Sequence, residues 1–259
     1  TFHASGDHRH LHYSARRQRQ MCIRDSINYY DTSGNIIDKP DYSVDSNITA
    51  EGIINRYINL IGGKENLEEI QSIELKGSAD LDMQGQSFKL EFYSLKNNQN
   101  QSLSTVSAGG MQVQKSVFNK DQGYNVVNGQ KIILSEDELE QALTDSKLFS
   151  ELSYDYEIVR LVGSSTIDNQ KVYEIKISDN NTEYYSIETG LKVKEVENQL
   201  IDGNQIIIET TIKEYQEVNG ILIPSEINQV TPAVPIPGGI TIKFNTIELN
   251  VESSDSDFN

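Results

Sequence analysis

The sequence predicts an α+β fold, mainly an antiparallel β-sheet that curves into an open half-barrel with helices on its concave side. Three observations predict it. Asn47–Ile70 has a long helical periodicity, alternating apolar and polar segments fill most of the chain after it, and Asn-Gly or Asp-Gly turns separate these segments. Such turns favour up-and-down antiparallel order over βαβ units. An open sheet of this length tends to curl.

The helix in Asn47–Ile70 has a clear start, a clear stop and one apolar face. Thr49 is the expected N-cap, and Gly62-Gly63 is expected to end the helix. The apolar residues that share one face at a period near 3.6 are Ile53, Ile54, Tyr57, Ile58 and Ile61. We expect this face to cover the concave side of the sheet.

Strands are predicted in two groups separated by a second helix. The first group comprises Ser72–Leu81, Ser87–Leu95, Gln101–Ser107, Gln112–Asn119, Gly123–Val127 and Lys131–Leu134. The second comprises Tyr156–Ile167, Lys171–Ser178, Glu183–Glu188, Leu191–Leu200, Asn204–Gln216, Ile221–Val230 and Gly239–Val251. Between them, Ser135–Phe149 begins with a capping box of Ser135 and Glu138, and its apolar stripe is Leu139, Leu143 and Leu148. Pro224 predicts an edge or bulge position.

Composition excludes several classes of function. The 259 residues carry a formal charge of −17, which argues against nucleic acid as a partner. No apolar run approaches the roughly 20 residues of a transmembrane helix. Cys22 is the single cysteine, so an internal disulfide framework is excluded. After residue 26 the chain has no His, Cys or Trp.

The segment Thr1–Ser26 is basic and shares no pattern with the rest. A nucleic-acid arm, or a metal site at His8, His10 and His12, would be functional interpretations. Ser14–Ser26 instead resembles translated sequencing-adapter read-through of a metagenomic fragment, and we expect residues 1–26 to be non-native or disordered. The chain is then expected to be part of a longer protein. The predicted organisation continues with a linker (27–46), the half-barrel domain (47–252) and an acidic tail (253–259), for which disorder is the simpler interpretation.

Catalytic chemistry finds little support in the residues. Without His or Cys after residue 26, common nucleophile–base pairs and zinc sites are excluded there. Glu195 and Glu209 could form a glycosidase pair, and Ser253–Asn259 or Asp179–Thr182 could bind calcium. Solvated strand faces, a turn and a tail explain these acids better. We expect no catalytic residue, no metal and no cofactor.

Apolar side chains offer the remaining candidate site. An apolar cavity between helix and sheet would be lined by Ile54, Tyr57, Ile58, Ile61, Phe88, Leu90, Phe92, Tyr173, Ile175 and Tyr185. The same residues are equally at home in an ordinary sheet core.

Several segments resemble a known family. They are ITAEGIINRYINLIGGKENLEEIQSI, NKDQGYNVVNGQKIIL, YYSIETGLKVKEV and YQEVNGILIPSEI. Together they resemble a LolA-like domain, most closely the version at the C-terminal end of insulinase-family (M16) zinc peptidases of Bacteroidota. The preceding INYYDTSGNIIDKP is similar to the strand-turn that joins that domain to the peptidase, so the resemblance covers about residues 27–259.

The resemblance implies an open half-barrel similar to periplasmic lipoprotein carriers, which hold acyl chains between sheet and helices. The chain departs from the family by lacking Trp and by inserting TPAVPIPG before its last strand. The peptidase motif His-x-x-Glu-His is absent, so no catalytic or metal residue carries over.

The expected function is therefore that of a non-catalytic cell-envelope domain. It would bind an apolar ligand, such as an acyl chain or lipoprotein, or a partner, and it would belong to the same polypeptide as an upstream peptidase domain. The alternative is a purely structural accessory domain with a solid core and no ligand.

Overall fold

The computed structural model describes residues 29–30, 36–37, 45, 47–83, 86–120, 122–201, 204–232 and 236–259. Residues 1–26, most of the predicted linker (27–46) and the Asp-Gly turn at residues 202–203 lie outside this description. The chain divides into two compact units, Thr1–Lys39 and Pro40–Asn259. In the first unit, the short strands β1 (Tyr29–Tyr30) and β2 (Ile36–Ile37) pair antiparallel.

The second unit is built on one antiparallel sheet of 13 strands. These strands are β3 (Ser72–Met83), β4 (Gln86–Asn97), β5 (Gln101–Ala108), β6 (Met111–Asn119), β7 (Gln122–Val127), β8 (Gln130–Ile133), β9 (Arg160–Ile167), β10 (Gln170–Lys176), β11 (Asn181–Ser186), β12 (Lys192–Ile201), β13 (Asn204–Val218), β14 (Ile221–Val230) and β15 (Ile240–Leu249). Their spatial order is β8-β7-β6-β5-β4-β3-β15-β14-β13-β12-β11-β10-β9. The sheet is therefore two up-and-down meanders joined where β15 pairs with β3, which confirms the predicted fold class.

The helices are α1 (Ala50–Ile61), α2 (Lys64–Glu68) and α3 (Glu136–Asp145). The Thr49 hydroxyl accepts a hydrogen bond from the Gly52 amide at 3.1 Å, which confirms the N-cap. Gly62 follows α1 at φ 148°, and a Cβ there would lie 2.5 Å from Ile221 Cδ1. Only glycine therefore lets the chain turn this close to β14.

α1 buries its apolar face on the concave side of the sheet, as predicted. All five residues of the predicted face are buried, with Ile54 at 0% exposure and Ile61 at 2%. Arg56, on the other side of α1, donates to the carbonyls of Ile187 and Glu188 at 3.1 and 2.9 Å. Because two fixed donors reach two adjacent carbonyls, α1 is attached to the β11–β12 hairpin as well as to the core.

α3 belongs to the crossover from edge strand β8 to edge strand β9. Its capping box forms as predicted, with the Ser135 amide donating to the Glu138 carboxylate at 2.8 Å. The predicted apolar stripe is not continuous, because the helix ends at Asp145 and Leu148 lies beyond it. None of the α3 residues is fully buried. The crossover continues through a short 3-10 helix, Ser150–Ser153.

The last residues are ordered, which corrects the expectation of a disordered tail. Asp255–Phe258 forms a 3-10 helix on the face of the sheet opposite α1. The Phe258 side chain is 1% exposed and packs against Leu95 and Val117. Burying this ring supplies the apolar contact that a solvated acidic tail would lack.

Pro224 lies at a bulge in the sheet interior. β14 is paired on both sides, with β13 and β15, so the edge alternative is wrong. The register of β13 shifts between Glu214 and Tyr215, and Tyr215 is the residue opposite Pro224. The irregular pairing accommodates a residue that has no backbone N–H to donate.

Replacing Ile58 with Ala tests whether α1 packs as a solid core element. Ile58 is 5% exposed, so we expect the free energy of unfolding to fall by about 2–5 kcal/mol. Leu60 is on the same helix at 42% exposure, and Leu60→Ala should cost clearly less. Urea denaturation measures both. Equal and small losses would show that α1 borders a cavity or solvent.

Candidate functional site

The concave face has two apolar regions that differ in packing. The first lies beneath α1 and is fully buried. It contains six of the predicted cavity residues, Ile54, Tyr57, Ile58, Ile61, Ile175 and Tyr185. A seventh, Tyr173, is half-buried and packs against the same cluster. Two cavities of about 420 and 390 Å3 lie away from the region beneath α1. One is at the β4–β5 hairpin around Asn97–Gln99, and the other is around Lys76 and Tyr93.

The second apolar region lies further along the same face, as the strand register shows. Ile227 pairs with Ile242, and Ile242 alternates with Phe244, which packs against the α1 cluster, so Ile227 points to the same face of the sheet. It pairs with Ile212 on β13 and Ile242 on β15. Ile212 and Ile227 are half-buried, whereas Ile242 is 5% exposed.

This surface continues onto β3 and β4. Ala79 pairs with Leu90, and Leu81 pairs with Phe88, whose side chain is 45% exposed. We call the whole surface the distal apolar face; its members are Ala79, Leu81, Phe88, Leu90, Phe92, Ile212, Ile227, Ile242 and Phe244. The three remaining predicted residues, Phe88, Leu90 and Phe92, belong to it. The structure therefore separates the predicted set into a buried core group and an open group.

At Gly77, the backbone and the Phe244 side chain of β15 come unusually close to β3. Gly77 pairs with both Phe244 and Phe92. A Cβ at Gly77 would lie 2.8 Å from Phe244 Cδ1 and 2.6 Å from the Lys243 carbonyl oxygen. The Phe244 ring therefore takes the space that a side chain would occupy, as aromatic residues opposite a strand glycine do.

A buried ionic cluster borders these apolar regions. Lys192 Nζ lies 2.7 Å from Glu151 Oε1 and 2.7 Å from Glu183 Oε1. The Lys192 and Glu183 side chains are 10% and 0% exposed. Burial alone would lower the pKa of Lys192, but the carboxylates of Glu151, Glu183 and Glu195 together raise it well above its usual value. The ammonium therefore stays charged in the interior.

Four tyrosines complete the cluster. Tyr154 and Tyr185 donate from their hydroxyls to Glu183 at 2.7 and 2.5 Å. The Tyr215 hydroxyl donates to the Lys192 carbonyl at 2.8 Å, and the Tyr57 ring lies 5.8 Å from Lys192 Nζ. Burial raises the pKa of Glu183 to about 7, against the opposing attraction of Lys192.

A β-bulge places Lys192 in this cluster. Tyr184 pairs with Lys194 while Tyr185 pairs with Lys192, so Val193 is an extra residue on β12. The extra residue breaks the alternation and brings Lys192 to the same face as Glu195. Sequence reasoning missed Lys192 for this reason.

Carboxyl groups extend from the ionic cluster along β12. Burial, together with the negative charges of Glu195 and Asp145, raises the pKa of Glu197 to about 8. Lys96 Nζ donates to the Asp145 backbone carbonyl at 2.5 Å, which ties the end of α3 to β4. We call Asp145, Glu195 and Glu197 the acidic wall.

Asn181 also lies at the acidic wall. Its Nδ2 donates to Glu195 Oε1 at 2.7 Å. Its buried Oδ1 has no hydrogen-bond partner within the described chain. The wall therefore carries acceptor oxygens in excess of donors.

Neither carboxylate alternative from the sequence gains support. Glu195 pairs with Thr210, whereas Glu209 pairs with Val196, so the two acids point to opposite faces and cannot converge on one bond. Glu209 instead lies 2.5 Å from Lys194. Asp179 lies 2.7 Å from Lys176. Within the described ranges no group of three or more His, Cys, Asp or Glu residues could hold a metal ion.

No helix in the described part of the chain is long and apolar enough to cross a membrane. No family model matches the chain, and no curated protein matches its sequence.

Three solved structures are similar to this chain to different degrees. A LolA superfamily protein from Nitrosomonas europaea has a TM-score of 0.52 at 13% identity, over 82% of this chain and 98% of that one. A DUF1329 family protein from Desulfovibrio piger has a TM-score of 0.49 at 11% identity, over 81% and 96%. A lipoprotein-sorting domain from Vibrio parahaemolyticus has a TM-score of 0.47 at 11% identity, over 75% and 92%. The first of these comparisons shows that the fold is LolA-like, and an identity this low shows the fold alone.

Replacing Glu197 with Gln should flatten the pH dependence of stability. The folded-state pKa of Glu197 is raised from 4.5 to about 8, so the folded protein holds this proton more tightly than the unfolded chain. Stability from this group is therefore greatest below pH 4.5 and falls as the pH rises through 8, by at most about 1.4 kcal/mol per pH unit. Urea denaturation between pH 5 and pH 8.5 measures the slope. Glu217 is exposed, and Glu217→Gln should keep the wild-type slope. An unchanged slope in Glu197→Gln would contradict the raised folded-state pKa of Glu197.

Proposed function

We propose that this chain is a non-catalytic accessory domain that binds an apolar ligand on its distal apolar face. The observation that carries the proposal is the contrast along one concave surface. The residues beneath α1 are buried, whereas on the distal apolar face Phe88 is 45% exposed and Leu90, Phe92, Ile212 and Ile227 are half-buried. Ala79, Leu81 and Ile242 are the buried members between them. A contiguous apolar surface that stays open is typical of a ligand or partner site.

The region beneath α1 is a poorer candidate for the ligand. Ile54 and Tyr185 are at 0% exposure, and the rings of Tyr57 and Tyr185 meet edge to face with centroids 5.3 Å apart. A ligand there would have to displace α1 and expose Lys192 and its carboxylates. The distal apolar face requires no such displacement.

An alkyl chain fits the chemistry of the distal apolar face. Its members are Ile, Leu, Phe and Ala side chains, which offer dispersion contacts and no hydrogen bonds. Each methylene that leaves water contributes about 0.8 kcal/mol before the costs of ordering the ligand. An acyl chain is therefore the ligand class that this surface supports best.

We also propose that the domain works in the cell envelope, attached to an M16-like peptidase. The LolA-like fold and the segment resemblance to the peptidase-linked version support this proposal. The coding sequence upstream of residue 27 tests it. An in-frame His-x-x-Glu-His motif is the expected finding, and an unrelated upstream reading frame would refute the peptidase context.

A purely structural domain is the second candidate function. The packing that favours it is the solid α1 interface, whose interior is filled by buried apolar side chains and bordered by the Lys192 cluster. In that case the distal apolar face would be covered by another part of the parent protein. Such a domain would retain no lipid through purification and would bind no added amphiphile.

A neutral apolar dye tests the proposed function. N-phenyl-1-naphthylamine should gain fluorescence with the wild-type chain, and Phe88→Glu should weaken its binding about tenfold or more because a charge would enter the apolar surface. Ile207→Glu is the matched control: Ile207 is 52% exposed, close to the 45% of Phe88, but it points to the other face. Absence of dye binding, or equal effects of both variants, would contradict the proposal.

A further inference from the structure

The geometry points to a ligand whose apolar chain lies on the distal apolar face and whose polar end is a protonated amine held at the acidic wall. This inference rests on the proposed function, because it specifies the ligand of the same surface. It makes the site selective for alkylammonium amphiphiles over fatty acids and other anionic amphiphiles.

The strand register places the acidic wall directly beside apolar residues. Glu197 pairs with Ile208, and Glu195 pairs with Thr210. Ile208 and Thr210 point to the same face of β13 as Ile212, which is a member of the distal apolar face. Opposed side chains on neighbouring strands lie about 5 Å apart, so an alkyl chain on this surface brings its polar end within reach of both carboxyl groups.

The charges of the described residues around this end of the surface are unbalanced. Lys192 is fully engaged by Glu151 and Glu183, at 2.7 Å each, and reaches Glu195 only at 3.9 Å. Lys96 donates to the backbone carbonyl of Asp145, and its positive charge also favours the ionised forms of Asp145 and Glu197. Two ammonium groups therefore face the five carboxyl groups of Asp145, Glu151, Glu183, Glu195 and Glu197. Glu195, whose side chain is 25% exposed, therefore remains an accessible acceptor.

The hydrogen bonds at the acidic wall also favour a ligand group that donates. Asn181 Oδ1 is a buried acceptor without a donor, and its amide lies against Glu195. A buried acceptor without a partner costs about 1–3 kcal/mol, which a donating ligand group would recover. An ammonium group supplies three donors and the opposite charge, whereas a carboxylate supplies acceptors only and would be repelled.

A competition experiment tests the inference. Decylammonium, decanoate and decanol share one alkyl chain and differ at the polar end. Each is titrated at pH 9, where Glu197 is mostly ionised and decylammonium is still charged, against bound N-phenyl-1-naphthylamine on the wild-type chain. All concentrations stay below those at which the amphiphiles form micelles. We expect decylammonium to displace the dye at a concentration at least tenfold lower than decanoate, with decanol between them.

Variants separate the acidic wall from the general negative charge of the chain. Glu195→Gln and Glu197→Gln should each reduce the preference for decylammonium over decanoate at least threefold, and circular dichroism should show both variants folded. Glu217→Gln removes the same charge at an exposed position away from the wall and should leave the preference unchanged.

The outcomes distinguish this inference from the proposed function. If decanol displaces the dye but decylammonium and decanoate bind equally, the inference is overturned and the apolar site stands. The inference is also overturned, and the apolar site stands, if all three Gln variants change the preference for decylammonium equally. If the dye does not bind at all, the proposed function fails, and the inference fails with it.

Discussion

The ion pairs of Lys192 are the constraint on which the rest of the concave side depends. A buried ammonium is tolerated only when carboxylates neutralise it, and here they come from two other segments. Glu151 belongs to the crossover between the two sheet edges, and Glu183 belongs to the neighbouring strand β11. Because neither carboxylate can leave without stranding a charge, the crossover is held to the sheet at this point. α1 then packs over this part of the sheet, and the distal apolar face begins beyond it.

Local chemistry made most of the fold predictable. Asn128 and Asn219 adopt positive φ, 51° each, before Gly129 and Gly220, as two-residue hairpins require. The period of α1 identified its buried face for the same reason, since both signals depend only on near neighbours in the chain. The Lys192 cluster was not predictable. A bulge reverses the side to which Lys192 points, and Glu151 lies in a short 3-10 helix without periodicity.

The sequence predicted which apolar residues share the concave face, but not which of them α1 covers and which it leaves exposed. Ile58 and Phe88 are both large and apolar, yet one is 5% exposed and the other 45%. Which strands a helix covers is decided by tertiary packing, and no pattern within a strand records it. The comparison with the Nitrosomonas LolA superfamily protein supports the fold and leaves the ligand to be decided by the chemistry of these residues. The acidic wall emerges only from register, because Glu197 and Ile208 become neighbours when β12 and β13 pair.

The pairing of β15 with β3 has a consequence for the order in which the chain folds. Within each meander, every strand meets a partner that follows it closely in sequence, so hairpins can form early and at little entropic cost. The seam between the meanders, where β15 pairs with β3, joins residues that are far apart in sequence. There the Gln71 amide donates to Asn250 Oδ1 at 2.7 Å, across a sequence separation of 179 residues. Contacts this distant close late and slowly. The distal apolar face spans this seam, so it is completed only when the two halves of the chain have joined.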